Sequence, residues 1–441
     1  LVLRIHAIEE DEVMPPPDSN KRLTARDKAI LRKWIEQGAA YQRHWAYESP
    51  VQAAVPAGAH GIDFLVARRW AAVGLKSSPE ADRRTLIRRL HADLVGLPPP
   101  PAEVAAFESD TAPGAYAQLV ERVLASPHYG ERMALGWLDV VRFADTIGYH
   151  SDNPRNVWPY RDWVIRSFNA NKRFDRFTLE QIAGDLLPDA DRDTRVGSAF
   201  NRLLLSTEEG GAQPKDYEVR MMTDRVRAIG AAWLGQTTGC AQCHDHKFDP
   251  LTTRDFYALG AFFADIKEAA IGRREDGMPV LEPDQQARLA ELDAAIAAAK
   301  RTVEAVLPEI DAAQALWEAD VLAGGTVLVE LQPGAKATAA EKRTARAVAA
   351  ALKKETAKRS VKEKQAVRTY FRTRVNTLFQ PERDALAAAE RARKACYDEL
   401  PKCLVTETAA VRRTVRVLPR GNWMDDSGEV MKPALPHYLP Q

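Results

Sequence analysis

The sequence predicts a mainly α-helical protein in which a helical domain precedes a long antiparallel helical hairpin, with minor β structure near the C-terminus. Three observations support this fold class. Between about residues 61 and 270, apolar residues recur at helical spacing between Pro and Gly breaks. Residues 282–320 and 339–398 are rich in Ala, Glu, Lys and Arg, which favours long helices. Segments with the alternation of a strand are few.

The composition limits the classes of protein to which this chain can belong. The chain has 441 residues, of which 45% are apolar and 28% charged, so it is long enough for more than one globular unit. Its 62 basic and 61 acidic side chains leave a net charge of +1, which would gather neither nucleic acid nor an anionic membrane. No apolar run is long enough to cross a bilayer. We therefore expect no nucleic-acid partner and no transmembrane segment in this chain.

Composition divides the chain into four predicted regions. Residues 1–43 hold a Pro-rich elbow, "EVMPPPDSN", and a helix that Thr24 can cap and Gly38 can end. Residues 44–270 form the helical domain. Residues 271–400 form the hairpin, whose helices are joined through "LAGGTVLVELQPGAKAT", with "TVLVEL" as the best strand candidate. Residues 401–441 alternate β-forming and turn residues and read as the start of an incomplete domain. Since the chain begins at Leu1 rather than Met, we expect that it lacks the N-terminal part of the full protein.

The long helices have two interpretations. A run of charged residues with many alanines is typical of a solvated helical spacer. The alternative is a coiled coil that binds a partner, which would make a homo- or hetero-oligomer through these helices.

The four cysteines fall into two pairs. Cys396 and Cys403 are spaced to close a small loop, as a disulfide in an oxidising compartment would, or they are two free thiols. Cys240 and Cys243 stand one helical turn apart, and His244 follows at once. This Cys-x-x-Cys-His order lets two thiols add to the vinyl groups of haem while the histidine faces the iron. Composition alone would produce the pattern roughly once in a thousand such chains.

Two other chemistries remain open for this cluster. Zinc would need four ligands, and Cys240, Cys243, His244 and His246 would all come from seven residues, whereas zinc sites usually join two separated pairs. A redox dithiol normally stands at a helix start after a strand, and no such pattern precedes Gly239.

The sixth ligand of a haem iron here must come from elsewhere in the chain. His246 is only two residues from His244, so it cannot easily reach the opposite face of the ring. The candidates are His44, His91, His128, His150, Met221 and Met222. A five-coordinate iron is the alternative, which would leave room for a small ligand.

The motifs together resemble the second cytochrome-c-like domain of planctomycete-type cytochrome c proteins. The resemblance runs from about residue 44 to residue 268 and rests on "HWAY", "RTLIRRLHADLVGLPPP", "WPYRDWVIRSFN", "STEEGG" and "TDRVRAIGAAWLGQTTGCAQCHDHKFDPLTTRDFYALGAFFADI". Residues 4–39 look like the end of the family's first cytochrome c domain, and "RGNWMDDSGEVMKPALPHYLP" looks like the start of its C-terminal domain.

The resemblance implies a helical c-type cytochrome domain with haem c attached at Cys240 and Cys243 and ligated by His244. It makes His44, in "HWAY", the first choice for the distal ligand. Met14 stands where a class I cytochrome c places its axial methionine, so a second haem is implied, although the matching Cys-x-x-Cys-His is absent upstream. The family is exported, which implies a periplasmic, extracellular or cell-envelope location.

Polar residues gather around three tryptophans and near the haem motif. The set comprises Asp139, Arg142, Asp145, Tyr149, Asp152, Arg161, Asp162, Glu208, Glu209, Asp224, Arg225, Asp245 and Asp249, with Trp137, Trp158 and Trp163. We interpret them as buried Arg–carboxylate pairs that orient helices. The alternative is a Ca²⁺ site or a substrate pocket beside the haem, with Asp245, His246 and Asp249 nearest in sequence.

These expectations lead to one preferred function and two alternatives. The preferred function is an exported electron-transfer cytochrome that works with a redox partner protein and carries one haem c, or two. The first alternative is a haem-dependent oxidoreductase acting on a sugar or polysaccharide-derived substrate. The second is a non-enzymatic assembly protein with a structural metal site.

Overall fold

Helices dominate the structure, a computed structural model that describes residues 1–40, 45–149, 151–328, 338–376 and 379–439. Helices hold 57% of the residues and strands 3%, which confirms the predicted mainly α class. The helices are, in chain order, α1 (Val2–Ile5), α2 (Ala25–Glu36), α3 (Gly61–Ala72), α4 (Arg83–Leu94), α5 (Pro101–Ser109), α6 (Ala115–Leu124), α7 (Pro127–Val140), α8 (Trp158–Asn169), α9 (Phe174–Ala183), α10 (Arg192–Gly197), α11 (Pro214–Ile229), α12 (Thr253–Ala261), α13 (Pro283–Ala305), α14 (Leu307–Leu322), α15 (Ala339–Leu352), α16 (Val361–Tyr370) and α17 (Gln380–Asp398).

The chain divides into two compact units, each made of separate stretches of sequence. Unit 1 comprises Leu1–Leu86, Gln236–Ala264 and Arg413–Gln441, and unit 2 comprises Ile87–Gly235 and Asp265–Arg412. The predicted boundaries at residues 43, 270 and 400 stay predictions.

In unit 1, helix α2 begins and ends at the predicted residues. The Thr24 side chain accepts a hydrogen bond from the Asp27 N–H, and the Asp27 carboxylate accepts one from the Thr24 N–H, which makes a reciprocal cap. The chain leaves the helix through Gly38, whose φ of +95° suits glycine.

In unit 2, an aromatic core forms around helix α8. The buried residues Tyr160, Trp163, Val164 and Ser167 follow the i, i+3, i+4, i+7 spacing of one helix face. The Trp163 ring stacks on Phe177 of α9, with 5.2 Å between the ring centroids and 6° between the planes. The helical periodicity read from "WPYRDWVIRSFN" therefore identified a real core face.

Helix α7 packs closely against α8 at Gly130. A Cβ built at this buried glycine would lie 2.4 Å from the Ile165 carbonyl oxygen and 2.6 Å from the Asn169 side chain. The Asn169 amide oxygen accepts the Gly130 N–H at 2.7 Å, so the two backbones are tied at this contact.

We expect Gly130→Ala to lower the free energy of unfolding by about 1–3 kcal/mol, because the new methyl group would push the two helices apart. Gly136→Ala, in the same helix with nothing within 4 Å, is the control and should gain up to about 1 kcal/mol from higher helix propensity. Chemical denaturation of both variants measures the difference. Equal stability would contradict the close packing at Gly130.

Helices α13 and α17 lie side by side in opposite directions. Arg393 pairs with Asp293 at 2.9 Å, and Lys300 pairs with Glu390 at 3.8 Å, so residue numbers fall along one helix as they rise along the other. Among described residues, α13 buries only Leu289 and α17 buries none. The two helices are thus highly solvated.

The connection between these two helices differs from the predicted single loop. It contains α14, α15 and α16, which enclose an apolar cluster of their own around Trp317, Val348 and Tyr370. Trp317 stacks on Tyr370 with 6.1 Å between centroids. These large apolar residues, set among alanines and charges, are the physical reason for a separate small core. Residues 329–331 of the strand candidate "TVLVEL" lie outside the described residues.

The β structure is a two-stranded antiparallel sheet. Strand β1 (Met278–Pro279) pairs with β2 (Lys402–Cys403), with Met278 opposite Cys403. No described helix is long and apolar enough to cross a membrane.

Candidate functional site

The Cys-x-x-Cys-His motif lies in unit 1 and forms a single tight turn. A 3-10 turn covers Thr238–Gln242, and the N–H groups of Cys243 and His244 both donate to the Cys240 carbonyl oxygen, at 3.2 and 3.3 Å. Both thiols are free, and both cysteines are exposed. Both thiols are therefore exposed on one turn, at the spacing that the sequence predicted.

His244 is held in the tautomer that a metal ligand needs. Its Nδ1 lies 2.8 Å from the Asp245 carbonyl oxygen, which can only accept, so Nδ1 carries the proton. The lone pair is then on Nε2, and the side chain is exposed. A backbone carbonyl bonded to the far ring nitrogen orients the imidazole and raises its basicity, which favours binding of a metal through Nε2.

The loop after the motif is tied to the start of α12. The Asp245 carboxylate accepts the Thr253 N–H at 2.8 Å. Thr252 caps the same helix through a reciprocal pair of hydrogen bonds with Asp255. This arrangement fixes the position of the residue that immediately follows His244.

His246 braces its own loop rather than facing the motif. Its Nδ1 accepts the Asp249 N–H at 2.9 Å, and its side chain is only 10% exposed. His246 is close to His244 in sequence, but its side chain contacts Asp249 of its own loop. The sequence also predicted that His246 is not the sixth ligand.

A hydrogen-bonded chain of side chains continues from this loop. The Tyr47 hydroxyl donates to the Asp249 carboxylate at 3.1 Å and accepts from the Gln236 amide at 2.7 Å. The Gln236 amide oxygen in turn accepts from the Tyr438 hydroxyl. Burial and the Asp249 carboxylate raise the pKa of Tyr47, and burial raises the pKa of Tyr438 to about 12. Both phenols are therefore neutral hydrogen-bonding groups at ordinary pH.

The C-terminal segment of the chain lies against the motif turn. The buried Tyr257 hydroxyl donates to the Gln242 carbonyl oxygen at 3.0 Å. Burial raises the pKa of Tyr257 to about 12. Gly421, with φ of +71°, approaches so closely that a Cβ there would lie 2.7 Å from the Cys243 Sγ.

His437 is anchored to the first turn of α12 by a buried carboxylate. Its Nδ1 lies 2.8 Å from the Asp255 Oδ2, and its backbone N–H donates to Oδ1 at 2.9 Å. Burial alone would raise the pKa of Asp255, but hydrogen bonds from Thr252 and His437 hold it below its usual value. The carboxylate is thus an anion that orients the imidazole.

The other predicted haem ligands are placed as follows. Met14 is 39% exposed and lines an open surface pocket with Arg4 and Asp11. His44 and His150 lie outside the described residues. In unit 2, His91 pairs with Glu103 at 3.4 Å, His128 pairs with Glu131 at 2.8 Å, and Met221 is buried.

Some of the predicted polar residues of unit 2 form ion pairs. Arg142 pairs with Asp224 at 2.7 Å, and Arg161 pairs with its neighbour Asp162 at 2.9 Å. Arg225 binds a residue outside the predicted set, the buried Glu268, at 3.1 Å. Burial lowers the pKa of a further guanidinium, Arg155, to about 10, with smaller contributions from other arginines nearby.

Of the three tryptophans named in the sequence analysis, two pack inside unit 2. Trp163 is 1% exposed, and Trp137 donates to the Gln181 side chain and contacts Phe177 edge-on. Trp158 is 38% exposed. The rings of Trp137 and Trp163 therefore belong to the core of unit 2.

The second cysteine pair is not a disulfide in the structure. Both thiols are free, and burial raises the pKa of the Cys403 thiol to about 12. Of the two alternatives for Cys396 and Cys403, the structure has free thiols.

The carboxylates suggested for calcium are engaged in other bonds, Asp245 with Thr253 and Asp249 with Tyr47. Within the described ranges, no group of three or more His, Cys, Asp or Glu side chains is arranged to hold a metal ion.

Sequence reasoning missed three residues of this site, namely Tyr257, Gly421 and His437. The capping signal Thr252-x-x-Asp255 could have located the start of α12 and its carboxylate. Gly421 and His437 carry no local signal, because they reach the motif from more than 170 positions away in the chain.

Comparison with known proteins gives one family match. Residues 61–268 are similar to the PSCyt2 family, described as a protein of unknown function (DUF1549). The matched range includes the Cys240–His244 turn, but this description names no activity or cofactor. Neither the curated proteins nor the solved structures gave a match.

Proposed function

We propose that this protein is an exported c-type cytochrome that carries electrons through a haem attached at Cys240 and Cys243, with His244 as the proximal ligand. One observation carries the proposal. Two free, exposed thiols stand one turn apart, and the next residue is a histidine whose Nδ1 bonds a backbone carbonyl oxygen. This combination meets the needs of covalent haem attachment more fully than those of any other cofactor considered for the motif.

The surroundings of the thiols suit a thioether. Each thioether forms when a thiol S–H adds across a vinyl C=C, so a sulfur–carbon bond forms and the hydrogen goes to the neighbouring carbon. Gly421 has no side chain, so its backbone can lie against the Cys243 Sγ, with the Gln242 side chain also close by. Tyr257 holds the Gln242 carbonyl, which limits movement of the turn. Bound haem supplies a one-electron couple whose potential depends on axial ligands and burial.

The contacts of His246 favour haem over zinc. A zinc ion held by the motif would need His246 as its fourth ligand, together with Cys240, Cys243 and His244. His246 Nδ1 already accepts the Asp249 N–H, and its side chain is almost covered. Haem attachment would leave these contacts of His246 intact, because it uses one imidazole and two thiols from this turn.

Several finer expectations belong to the same proposal. A second haem would use Met14 as an axial ligand, and its thiols would come from sequence outside this chain. The resemblance makes His44 a candidate for the distal ligand. Export, a redox partner protein, and assembly through the solvated helices α13 and α17 complete the proposal. A Ca²⁺ ion bound beside Asp245 and Asp249 is a further, minor part of the proposal.

Haem content tests the proposal directly. The chain, expressed with a c-type haem maturation system, should retain haem on a denaturing gel and contain at least one haem per chain in a pyridine haemochrome assay. A chain that matures without any covalent haem would contradict the proposal.

Binding of CO to the reduced protein separates an electron carrier from a haem-dependent oxidoreductase. A carrier needs two stable axial ligands, so the reduced protein should not bind CO. Rapid CO binding would reveal an open iron position and favour the enzyme, including one that acts on a sugar or polysaccharide-derived substrate.

Gly421→Ala should reduce haem attachment at Cys243. A free thiol can rotate away from the new methyl group, whereas a sulfur bonded to the haem cannot, so the haem-to-chain ratio should fall. Gly74→Ala is the control, because its φ of +74° carries similar backbone strain but nothing lies within 4 Å. Both variants should lose about 1–2 kcal/mol of stability from the left-handed backbone. An equal haem ratio in both would contradict the predicted contact.

A further inference from the structure

We propose that His437 is the sixth ligand of the haem iron, opposite His244. This inference rests on the proposed haem function and names a residue that neither the motif nor the resemblance indicated. It starts from the contacts of the imidazole itself.

The His437 ring is oriented as a metal ligand would be. Its Nδ1–H donates to the buried Asp255 carboxylate, which leaves the lone pair on Nε2. The side chain is 59% exposed, whereas the Asp255 side chain is 8% exposed. A carboxylate bonded to one ring nitrogen is the usual support for a histidine that binds a metal through the other. The backbone N–H already anchors His437 to Asp255, so the exposed ring is not required for anchoring.

Three hydrogen bonds and one backbone step connect His437 to Asp245, the residue after the motif. The Asp255 Oδ2 that accepts from His437 also accepts the Thr252 N–H at 2.9 Å. The next N–H along the backbone, of Thr253, donates to Asp245, the residue after His244. Hydrogen-bond lengths and the spacing of adjacent backbone nitrogens place the His437 Nδ1 within about 12 Å of the Asp245 Oδ1.

The same C-terminal segment touches the motif at a second point. Gly421 lies against the Cys243 thiol, and a Cβ at this glycine would also contact the Gln242 side chain. The segment that carries His437 therefore belongs to the surroundings of the attachment turn. Unlike His246, His437 is far from His244 in sequence, so the chain between them does not prevent it from reaching the other face of the ring.

Other side chains of unit 1 are either less suitable than His437 as the sixth ligand or are competing candidates that the test includes. His246 is almost covered and bonds Asp249 through Nδ1. His60 lies near Asp63 on the surface, at 3.5 Å, and makes a matched control. Met424, three residues after Gly421 and 68% exposed, is a rival thioether ligand, and His44 is the rival implied by the resemblance.

The test uses the full chain matured with haem, as wild type and as His437→Gly, His60→Ala, His44→Ala and Met424→Ala. Visible and electron paramagnetic resonance spectra report the spin state, and CO binding reports an open position. We expect a low-spin, six-coordinate wild type. Only His437→Gly should become high-spin and bind CO, and added imidazole should restore its low-spin spectrum. Haem staining should show equal haem in all variants.

Other outcomes would overturn the inference. A low-spin His437→Gly without added imidazole would exclude His437, as would loss of the low-spin state in His44→Ala or Met424→Ala alone. A high-spin wild type would exclude any sixth ligand. Wild type without covalent haem would overturn both this inference and the proposed function, whereas the first three outcomes would leave the haem proposal intact.

Discussion

Replacing both Cys240 and Cys243 with Ala is expected to abolish covalent haem in the mature protein. The two thioethers are the only bonds that would resist denaturation, since the iron–histidine bond is lost when the chain unfolds. Haem staining on a denaturing gel and the intact mass measure this directly. Each single variant should keep one thioether, and therefore some stain. Cys396→Ala removes a free thiol far from the motif in sequence and should stain like wild type.

Retained haem stain in the double variant would contradict attachment at these thiols. A colourless wild type that holds one zinc ion per chain, lost in the double variant, would instead support the metal-knuckle alternative. A reversible change in thiol oxidation with neither haem nor zinc would support the redox dithiol.

Arg225→Ala should destabilise unit 2 by about 3–5 kcal/mol, because it leaves the Glu268 carboxylate buried without its main partner. Arg225 is 1% exposed, and its Nη2 lies 3.1 Å from both Glu268 oxygens and 2.8 Å from the Asn201 carbonyl oxygen. Calorimetry and urea denaturation measure the loss. Arg220→Ala is the control in the same helix, because Arg220 is half exposed and its pair with Asp216 should contribute about 0–1 kcal/mol.

A double variant separates the ion pair from the packing around it. Replacing Arg225 and Glu268 together with Leu removes both charges, so it should recover part of the stability lost in Arg225→Ala. If Arg225→Ala and Arg220→Ala were equally stable, the buried pair would not be a main support of this unit.

Local features of the chain could be read directly from the sequence. The cap at Thr24 and the end at Gly38 define α2 through neighbours within a few positions. The buried face of α8 follows from the spacing of Tyr160, Trp163 and Val164. The Cys240–His244 turn is equally local, since its hydrogen bonds span three or four residues. Each depends on contacts between residues close in sequence, which patterns record.

Features built from distant segments could not be read in this way. Arg225 forms the kind of buried ion pair that was predicted, yet its partner Glu268 was missed, since any of many carboxylates could have served. The hairpin prediction treated α13 to α17 as two helices, because Ala-rich and charged residues suit any solvated helix. The core around Trp317 and Tyr370 shows where α14 to α16 interrupt them.

For the candidate site, the sequence by itself determined the residues and spacing of the motif, and the tertiary structure decided its surroundings. The identity and order of Cys240, Cys243 and His244 depend on covalent spacing, so they needed no fold to be recognised. The exposure of the thiols, the approach of Gly421 to Cys243 and the bond from His437 to Asp255 depend on how separated segments pack. How the segments pack depends on the burial of many side chains from the whole chain. It therefore cannot be predicted from any short stretch of sequence.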